Sequence, residues 1–173
     1  SPALTGEHAR YPSLRALAAH YADLILQMQP DGPHHLLGWS TGGILAQDIA
    51  CQLQARGATL GVVCLLDAYP ADAWRDRAPA EAHDVWRAIL HIAGQDPDVL
   101  AAEGPLTRER VIGFLRAQKH PLGDLTDAQL HGIFEAVGFS NTLVRDHRHQ
   151  TYDGTLLYIR AALDHAGENL SPD

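Results

Sequence analysis

Apolar residues recur along the chain at two different spacings, and the spacing changes where predicted helices give way to strands. Over residues 14–28 the apolar positions lie three or four apart, which predicts an amphipathic helix with Ser13 as its N-cap. The segment 34–39 is short and apolar at its centre, and helical spacing then returns to about Arg56. Residues 60–66 are apolar on both alternating faces, which is typical of a strand buried on both sides in a parallel sheet.

After this second strand the pattern becomes helical. Helices are predicted over 79–93 and 107–118, and a third begins at Thr126, which has capping-box spacing to Gln129. Strand alternation returns only over 155–161. The order α-β-α-β, a helical insertion and then β predicts an α/β fold: a mostly parallel sheet flanked by helices, with right-handed crossovers.

Three parallel strands form a small sheet with open edges, and parallel sheets usually have more strands and covered faces. The chain also begins in a loop, over residues 1–12, and ends in another over 169–173. We therefore expect the 173 residues to be a fragment of a single domain that lacks outer strands at both ends.

Composition narrows the class of protein. Apolar residues make up 46% and charged residues 20% of the chain, as in globular proteins, and no apolar run approaches the length of a membrane span. The formal net charge of −8 argues against a nucleic-acid partner, because phosphate binding needs a basic surface. Cys51 and Cys64 lie in apolar segments, as expected of buried thiols in a reducing, cytoplasmic setting.

The segment Gly38–Gly42 matches the motif G-x-S-x-G, and it lies between a predicted strand and a predicted helix. This is the context of a nucleophile elbow, in which Ser40 would occupy a strained turn. Side chains two residues to either side are expected to collide there, which would account for both glycines. The backbone N–H of Thr41, at the start of the helix, is placed to donate to a developing oxyanion. A chance glycine turn is the ordinary alternative.

A serine nucleophile needs a base, and the base needs an orienting carboxylate. Asp67 is the best candidate acid, because it directly follows the strand over 60–66, at the sheet edge where such sites form. The residues alone leave an alternative open, since an Asp at a strand end also satisfies turn amides.

The segments 29–43, 44–50 and 152–161, together with the strand that ends at Leu66-Asp67, closely resemble the C-terminal (type I) thioesterase domains of non-ribosomal peptide synthetases. The resemblance implies the α/β-hydrolase fold, with Ser40 at the family's nucleophile and Asp67 at its acid. It is weak over residues 74–141, where the family has a variable helical lid over its acyl-binding pocket. By this analogy the insertion is the lid.

Two further family features are implied but not found in the sequence. The strand and loop that supply a second oxyanion donor would precede residue 1, and the catalytic histidine would lie beyond Asp173 after one more strand. His165 has the right chain order but comes one strand too early, so it is a weak candidate. His147 and His149 could suggest a metal, but with no third ligand at useful spacing a solvated helix end is the better interpretation. His34 and His35 lead into the elbow strand and are interpreted as supporting or edge residues.

The resemblance implies a thioesterase that releases an acyl or peptidyl chain from the phosphopantetheine thioester of a carrier protein, through an acyl-enzyme on Ser40. Release would be by hydrolysis or macrocyclisation. No metal and no cofactor of its own are expected, since the phosphopantetheine arm belongs to a carrier domain, expected to be fused upstream. The alternatives are a stand-alone editing thioesterase or esterase, and a catalytically incomplete fold that only docks a carrier or another protein.

Overall fold

The elements follow the predicted order closely. The computed structural model describes residues 11–75 and 81–161. In chain order its elements are α1 (Leu14–Met28), β1 (His34–Trp39), α2 (Thr41–Ala55), β2 (Leu60–Leu66), α3 (Asp72–Arg75), α4 (Ala82–Ile92), α5 (Pro97–Ala101), α6 (Arg108–Ala117), a short 3-10 helix (Pro121–Asp124), α7 (Asp127–Arg145) and β3 (Leu156–Ile159).

Helix α1 begins where its cap predicts. The Ser13 hydroxyl accepts a hydrogen bond from the backbone N–H of Ala16, which satisfies a donor that has no partner inside the helix. The small residues Ala18 and Ala22 face the buried side and pack with Ile49 and Leu53 of α2. Full burial of a side chain such as that of Leu53 contributes roughly 1.5–3 kcal/mol. Close packing of these two helices therefore holds α2, and with it the elbow at its N-terminus.

The described strands form one parallel sheet in the order β1-β2-β3. Trp39 at the end of β1 pairs with Leu66 at the end of β2, and Leu66 pairs with Ile159 at the end of β3. The three strands therefore end level with one another. Because side chains that follow the carboxyl ends of parallel strands share one edge of the sheet, this register brings the segments after β1 and β2 together.

The β1–β2 register shifts between His34 and Leu36, and His35 fills the irregularity. Its Nδ1 accepts a hydrogen bond from the backbone N–H of Val62 at 3.0 Å. The ring lies over Gly61, where a Cβ atom would come within 2.4 Å of it. His34 is buried. The His35 side chain thus supports the strand pairing, and the role of the His34 side chain stays a prediction.

Burial of the strands differs from the prediction. Val63 and Cys64 of β2 are buried, but Val62 is 50% exposed, and each residue of β3 keeps solvent contact. The apolar pattern reports which side chains suit burial, whereas burial itself requires another element on that face. The expectation that β2 is buried on both faces is therefore wrong for the described part of the chain.

The chain divides into two units, of which residues 81–142 form the helical one. Helices α4, α6 and α7 confirm the three predicted helices, and Thr126 and Gln129 form the predicted capping box, with reciprocal bonds of 2.9 and 3.3 Å. The start of the first predicted helix, at Pro79, lies outside the described residues. The apolar core of the helical unit includes Trp86, whose ring centroid lies 5.0 Å from that of Phe134, with the two rings tilted by 41°.

Helix α5 was not predicted. Asp96 caps it through a bond from the backbone N–H of Asp98, and Pro97 stands at its first position. This Asp-Pro signal is readable in the sequence, but a five-residue helix is too short for apolar periodicity to show it.

The second unit contains residues 11–75 and 143–161 of the described chain. Both cysteines, Cys51 and Cys64, are free and buried there, as predicted. Among the described helices none is long and apolar enough to cross a membrane. Most of the loop predicted over 1–12, and that predicted over 169–173, lie outside the described residues.

Candidate active site

Ser40 lies in the turn between β1 and α2, with a backbone that few residues other than glycine adopt. Its φ of 53° and ψ of −126° fall in a region that costs on the order of 1–3 kcal/mol for such a residue. The conformation is held because the Ser40 N–H donates to the Leu66 carbonyl oxygen at 2.9 Å and the Ser40 carbonyl accepts from the Gly43 N–H at 2.9 Å. Its side chain makes no capping bond to α2, and the residue is exposed. This is the geometry of a nucleophile elbow.

The glycines around Ser40 differ in how much space a side chain would have at each position. A Cβ atom at Gly38 would come within 2.1 Å of the Gly42 carbonyl oxygen, and one at Gly43 would come within 2.3 Å of the Ala68 Cβ. Nothing lies within 4 Å of a Cβ atom placed at Gly42. The expectation that both motif glycines avoid a collision therefore holds for Gly38 and is wrong for Gly42, whose identity nothing in the structure explains.

Asp67 directly follows β2, just as Ser40 directly follows β1. Its N–H donates to the Ile159 carbonyl oxygen at 2.7 Å, and its φ of 46° is also left-handed. The carboxylate oxygen Oδ1 accepts from the Tyr69 hydroxyl and from the Ala161 N–H, each at 3.3 Å. Asp tolerates left-handed backbone better than most residues, because its short polar side chain bonds locally. The structure thus places Asp67 and Ser40 at the carboxyl ends of paired strands.

Thr41 is the first residue of α2, so its backbone N–H has no acceptor within the helix. The positive end of the helix dipole lies at the same place, which favours a developing negative charge. An oxyanion formed at Ser40 would find its donor here. The role of this amide stays a prediction.

An apolar cavity of about 270 Å³ lies within the same unit. Its wall is formed by Gly43, Ile44, Gln47, Leu65, Ala68, Tyr69, Pro70, His149, Leu156 and Tyr158. The residues that follow Ser40 on α2 and those that follow Asp67 in its loop thus share one wall. Burial raises the pKa of the Tyr158 phenol, and Tyr69 and Asp67 nearby add to this rise.

A polar cluster lies beside the cavity, and the sequence did not predict it. It joins α2 to the segment that follows α7, and its members are Gln47, Asp48, Cys51, His147, His149 and Gln150. The Asp48 carboxylate is fully buried, with Oδ2 at 3.8 Å from His147 Nδ1. Burial raises the pKa of the Cys51 thiol, and Asp48 raises it further. No spacing in the sequence connects residues so far apart, so only the fold reveals the cluster.

The interpretation of His147 as part of a solvated helix end is wrong. Its side chain is 3% exposed and stacks edge-on at 4.8 Å against His149. Desolvation by burial lowers its pKa, against the opposing effect of Asp48. Over the described ranges, no group of three or more His, Cys, Asp or Glu side chains is arranged to hold a metal ion. His165, the weak candidate for the base, lies outside the described residues.

Comparison with known proteins gives one consistent family. The family model described as "Thioesterase domain" matches residues 2–165. A dimodular nonribosomal peptide synthase of Bacillus subtilis is 32% identical over 159 residues, which are 91% of this chain and 7% of that protein. Enterobactin synthase component F of Escherichia coli is 43% identical over 103 residues, 58% of this chain and 7% of that protein. The chain thus spans a small part of the length of these relatives.

Solved structures share the fold. The four-domain nonribosomal peptide synthetase AB3403, solved with AMP and glycine, superposes with a TM-score of 0.75 at 20% identity, over 98% of this chain and 14% of that one. The NocB thioesterase domain, in covalent complex with a fluorophosphonate nocardicin G analogue, gives 0.65 at 20% identity, over 95% of this chain and 59% of that one. These neighbours support the α/β-hydrolase architecture: a parallel sheet flanked by helices.

Proposed function

The chain belongs to the thioesterase domain family, and from this premise we propose that it releases an acyl or peptidyl chain from a carrier-protein thioester through an acyl-enzyme on Ser40. The observation that carries the proposal is the paired placement of Ser40 and Asp67. Each follows directly after a strand, each has its N–H bonded to the end of the next strand, and each holds a left-handed backbone. Strained residues at one sheet edge are typical of catalytic sites.

In the proposed reaction the Ser40 Oγ attacks the thioester carbonyl carbon while a base takes its proton. The carbonyl oxygen becomes an oxyanion, and the Thr41 N–H at the start of α2 stabilises it, a contribution on the order of 3 kcal/mol per donor. Collapse of this intermediate breaks the carbon–sulfur bond, and the thiolate leaves with a proton from the base. Water, or a nucleophile within the chain being released, then attacks the ester on Ser40 and frees the product.

Asp67 would hold the base in the tautomer that accepts the Ser40 proton. Tyr69 and Ala161 donate to Oδ1 of its carboxylate, and these contacts fix the carboxylate in one orientation. The base itself stays a prediction, with a histidine beyond Asp173 expected from the family resemblance. The thioester would arrive on a carrier domain, and nonribosomal peptide synthesis is the setting that the relatives suggest.

The test is covalent labelling of the intact domain, with the histidine expected beyond Asp173 included, by a fluorophosphonate, followed by mass spectrometry of the labelled peptide. We expect one adduct, on Ser40, and loss of both labelling and thioester turnover in Ser40→Ala. Ser140→Ala, on α7, is the matched control and should change neither. Turnover that survives in Ser40→Ala would contradict the proposal. A folded wild-type protein without label or turnover would favour the alternative of a fold that only docks a partner.

A further inference from the structure

His149 lies at the junction of three segments: helix α2, the loop after β2, and the segment that follows α7. Its Nε2 accepts a hydrogen bond from the backbone N–H of Ala71 at 2.8 Å. Its Nδ1 lies 3.3 Å from Oε1 of Gln47. The residue as a whole is exposed, whereas its two hydrogen-bond contacts are partly buried, and it forms part of the cavity wall. One imidazole therefore joins the loop that carries Asp67 to the helix that begins after Ser40.

These contacts allow a single protonation state of the ring. A backbone N–H can only donate, so the Nε2 that faces Ala71 must be unprotonated. The Gln47 Nε2 donates to the carbonyl oxygen of Gln150 at 2.7 Å, which fixes the orientation of that amide. Its Oε1 therefore faces His149 and can only accept, so Nδ1 must carry the proton. The two contacts of His149, to Ala71 and to Gln47, together form a bridge between the loop and the helix. This bridge exists only with a neutral imidazole in the Nδ1–H tautomer.

Several charged and titratable groups lie on the described elements that pack near the ring. They are Asp48 and Cys51 of α2, Asp72 and Arg75 of α3, His147 of the same segment, and Tyr69 and Tyr158 of the cavity wall. Desolvation by burial lowers the pKa of His149, although Asp72 and Asp48 oppose it. The neutral ring is therefore the form present at neutral pH, and acid would place a second proton against the Ala71 N–H.

We propose that His149 is a positioning residue for the reaction proposed above: its imidazole, bonded to Ala71 and Gln47, holds the Asp67 loop in register with α2 and Ser40. The expected effect on kcat rests on the proposed function, because it requires Ser40 to be the nucleophile. Small displacements of catalytic groups are costly, since an error of about 1 Å lowers rates by about a hundredfold. Hydrogen bonds to the neighbouring strands hold the strained backbones of Ser40 and Asp67, and the His149 contacts add a link between the two segments that follow them.

The first test reads the bridge directly, in the full chain labelled with nitrogen-15. Long-range proton–nitrogen correlation spectra distinguish the two neutral tautomers of each histidine. We expect His149 as the Nδ1–H tautomer, and an Ala71 amide shift that changes when His149 becomes protonated. A ring in the Nε2–H tautomer at neutral pH would overturn the proposal.

The second test is kinetic and compares two variants. His149→Gln keeps an acceptor near the position of Nε2, whereas His149→Leu keeps the bulk and removes both polar atoms. We expect His149→Leu to lower kcat for a small soluble thioester by about tenfold to a hundredfold with little change in KM. His149→Gln should recover most of kcat and lose the part of the pH profile that follows the His149 titration. The exposed His131, replaced in the same two ways, is the control.

The outcomes separate this inference from the proposed function. If Ser40→Ala retains wild-type turnover, the proposed function fails, while the tautomer measurement still tests the bridge. If Ser40 is required and His149→Leu, folded by circular dichroism, keeps wild-type kcat, the positioning role is wrong. If His149→Leu does not fold, a kcat for His149→Gln as low as that of an Ala71→Pro variant, which lacks the N–H donor, would also overturn it.

Discussion

The backbone N–H of Ser40 donates a hydrogen bond to the carbonyl oxygen of Leu66 at 2.9 Å. This bond continues the β1–β2 ladder one step past the last paired residues, Trp39 and Leu66. Asp67, the next residue after Leu66, repeats the arrangement with Ile159 of β3 at 2.7 Å. The backbone of each candidate residue is therefore pinned by the neighbouring strand just as it turns into the left-handed region. Backbone hydrogen bonds at this edge of the sheet thus hold both candidate residues in place.

Removal of the strain at Ser40 should stabilise the fold while it abolishes turnover. In Ser40→Gly, relief of the left-handed backbone is worth on the order of 1–3 kcal/mol, against a cost of about 0.5–1 kcal/mol for the freer unfolded chain. We expect the free energy of unfolding in urea to rise by about 1 kcal/mol. Ser140→Gly, within helix α7, should lower it by a few tenths of a kcal/mol. A loss of stability in Ser40→Gly would show that the turn is not strained.

The two glycines that follow Ser40 should respond oppositely to the same change. Gly43→Ala places a methyl group 2.3 Å from the Ala68 Cβ, and overpacking of this kind costs about 1–3 kcal/mol. Gly42→Ala meets nothing within 4 Å and gains helix propensity, so it should be neutral or stabilising by up to about 1 kcal/mol. Urea unfolding of both variants measures the difference. Equal losses at the two positions would contradict the packing described here.

Asp67→Asn tests the acid. Asn accepts left-handed backbone as readily as Asp, so the fold should survive the change. If Asp67 orients the base, kcat should fall by roughly 10⁴-fold, since the amide favours the wrong tautomer of a histidine. Steady-state thioester hydrolysis measures this. Asp153→Asn is the control, because the backbone of Asp153 makes its hydrogen bonds to Gln54. Near-normal turnover in Asp67→Asn would mean that Asp67 is only a turn residue.

Tyr69→Phe removes the hydroxyl that donates to Oδ1 of Asp67 at 3.3 Å. The bond is long, so its loss should cost on the order of 1 kcal/mol in the transition state, or about fivefold in kcat. The ring still forms part of the cavity wall, and the stability should change little. Tyr21→Phe on α1, where Tyr21 is 41% exposed, provides the matched control. A change in KM alone would assign Tyr69 to substrate contact instead.

The stability of the fold should decrease in mild acid because of His147. Burial holds the pKa of His147 in the folded chain below the 6.5 of an unfolded histidine. Between the folded and the unfolded pKa, the unfolded chain therefore binds a proton that the folded chain does not. The free energy of unfolding should therefore fall as the pH drops below about 6.5 and be constant above it. His147→Gln should make this decrease shallower, and the exposed His131→Gln should leave it unchanged. Urea titrations at several pH values check both; identical slopes in His147→Gln and wild type would contradict the burial effect.

The sequence by itself determined the order of elements and the position of the elbow. Both depend on local features: the cap at Ser13, the apolar periods, and the motif around Ser40. The same local reasoning placed Asp67 at the end of β2, because a strand end is readable from a run of apolar residues that stops at a polar one, and the role of Asp67 as the acid stays a prediction. It could not decide which faces are covered, so it failed at Val62, which is exposed although its strand is apolar throughout.

Only the tertiary structure decided which distant residues meet. His149 and Gln47 are bonded although 102 positions separate them, and His147 is buried against Asp48 although its flanking residues are charged. Gly42 belongs to the motif and Gly43 only follows it, yet of these two glycines only Gly43 faces a neighbour in space. Periodicity and motifs record what a residue does within its own helix, strand or turn. Contacts between elements depend on how those elements pack, and no local pattern encodes the partner.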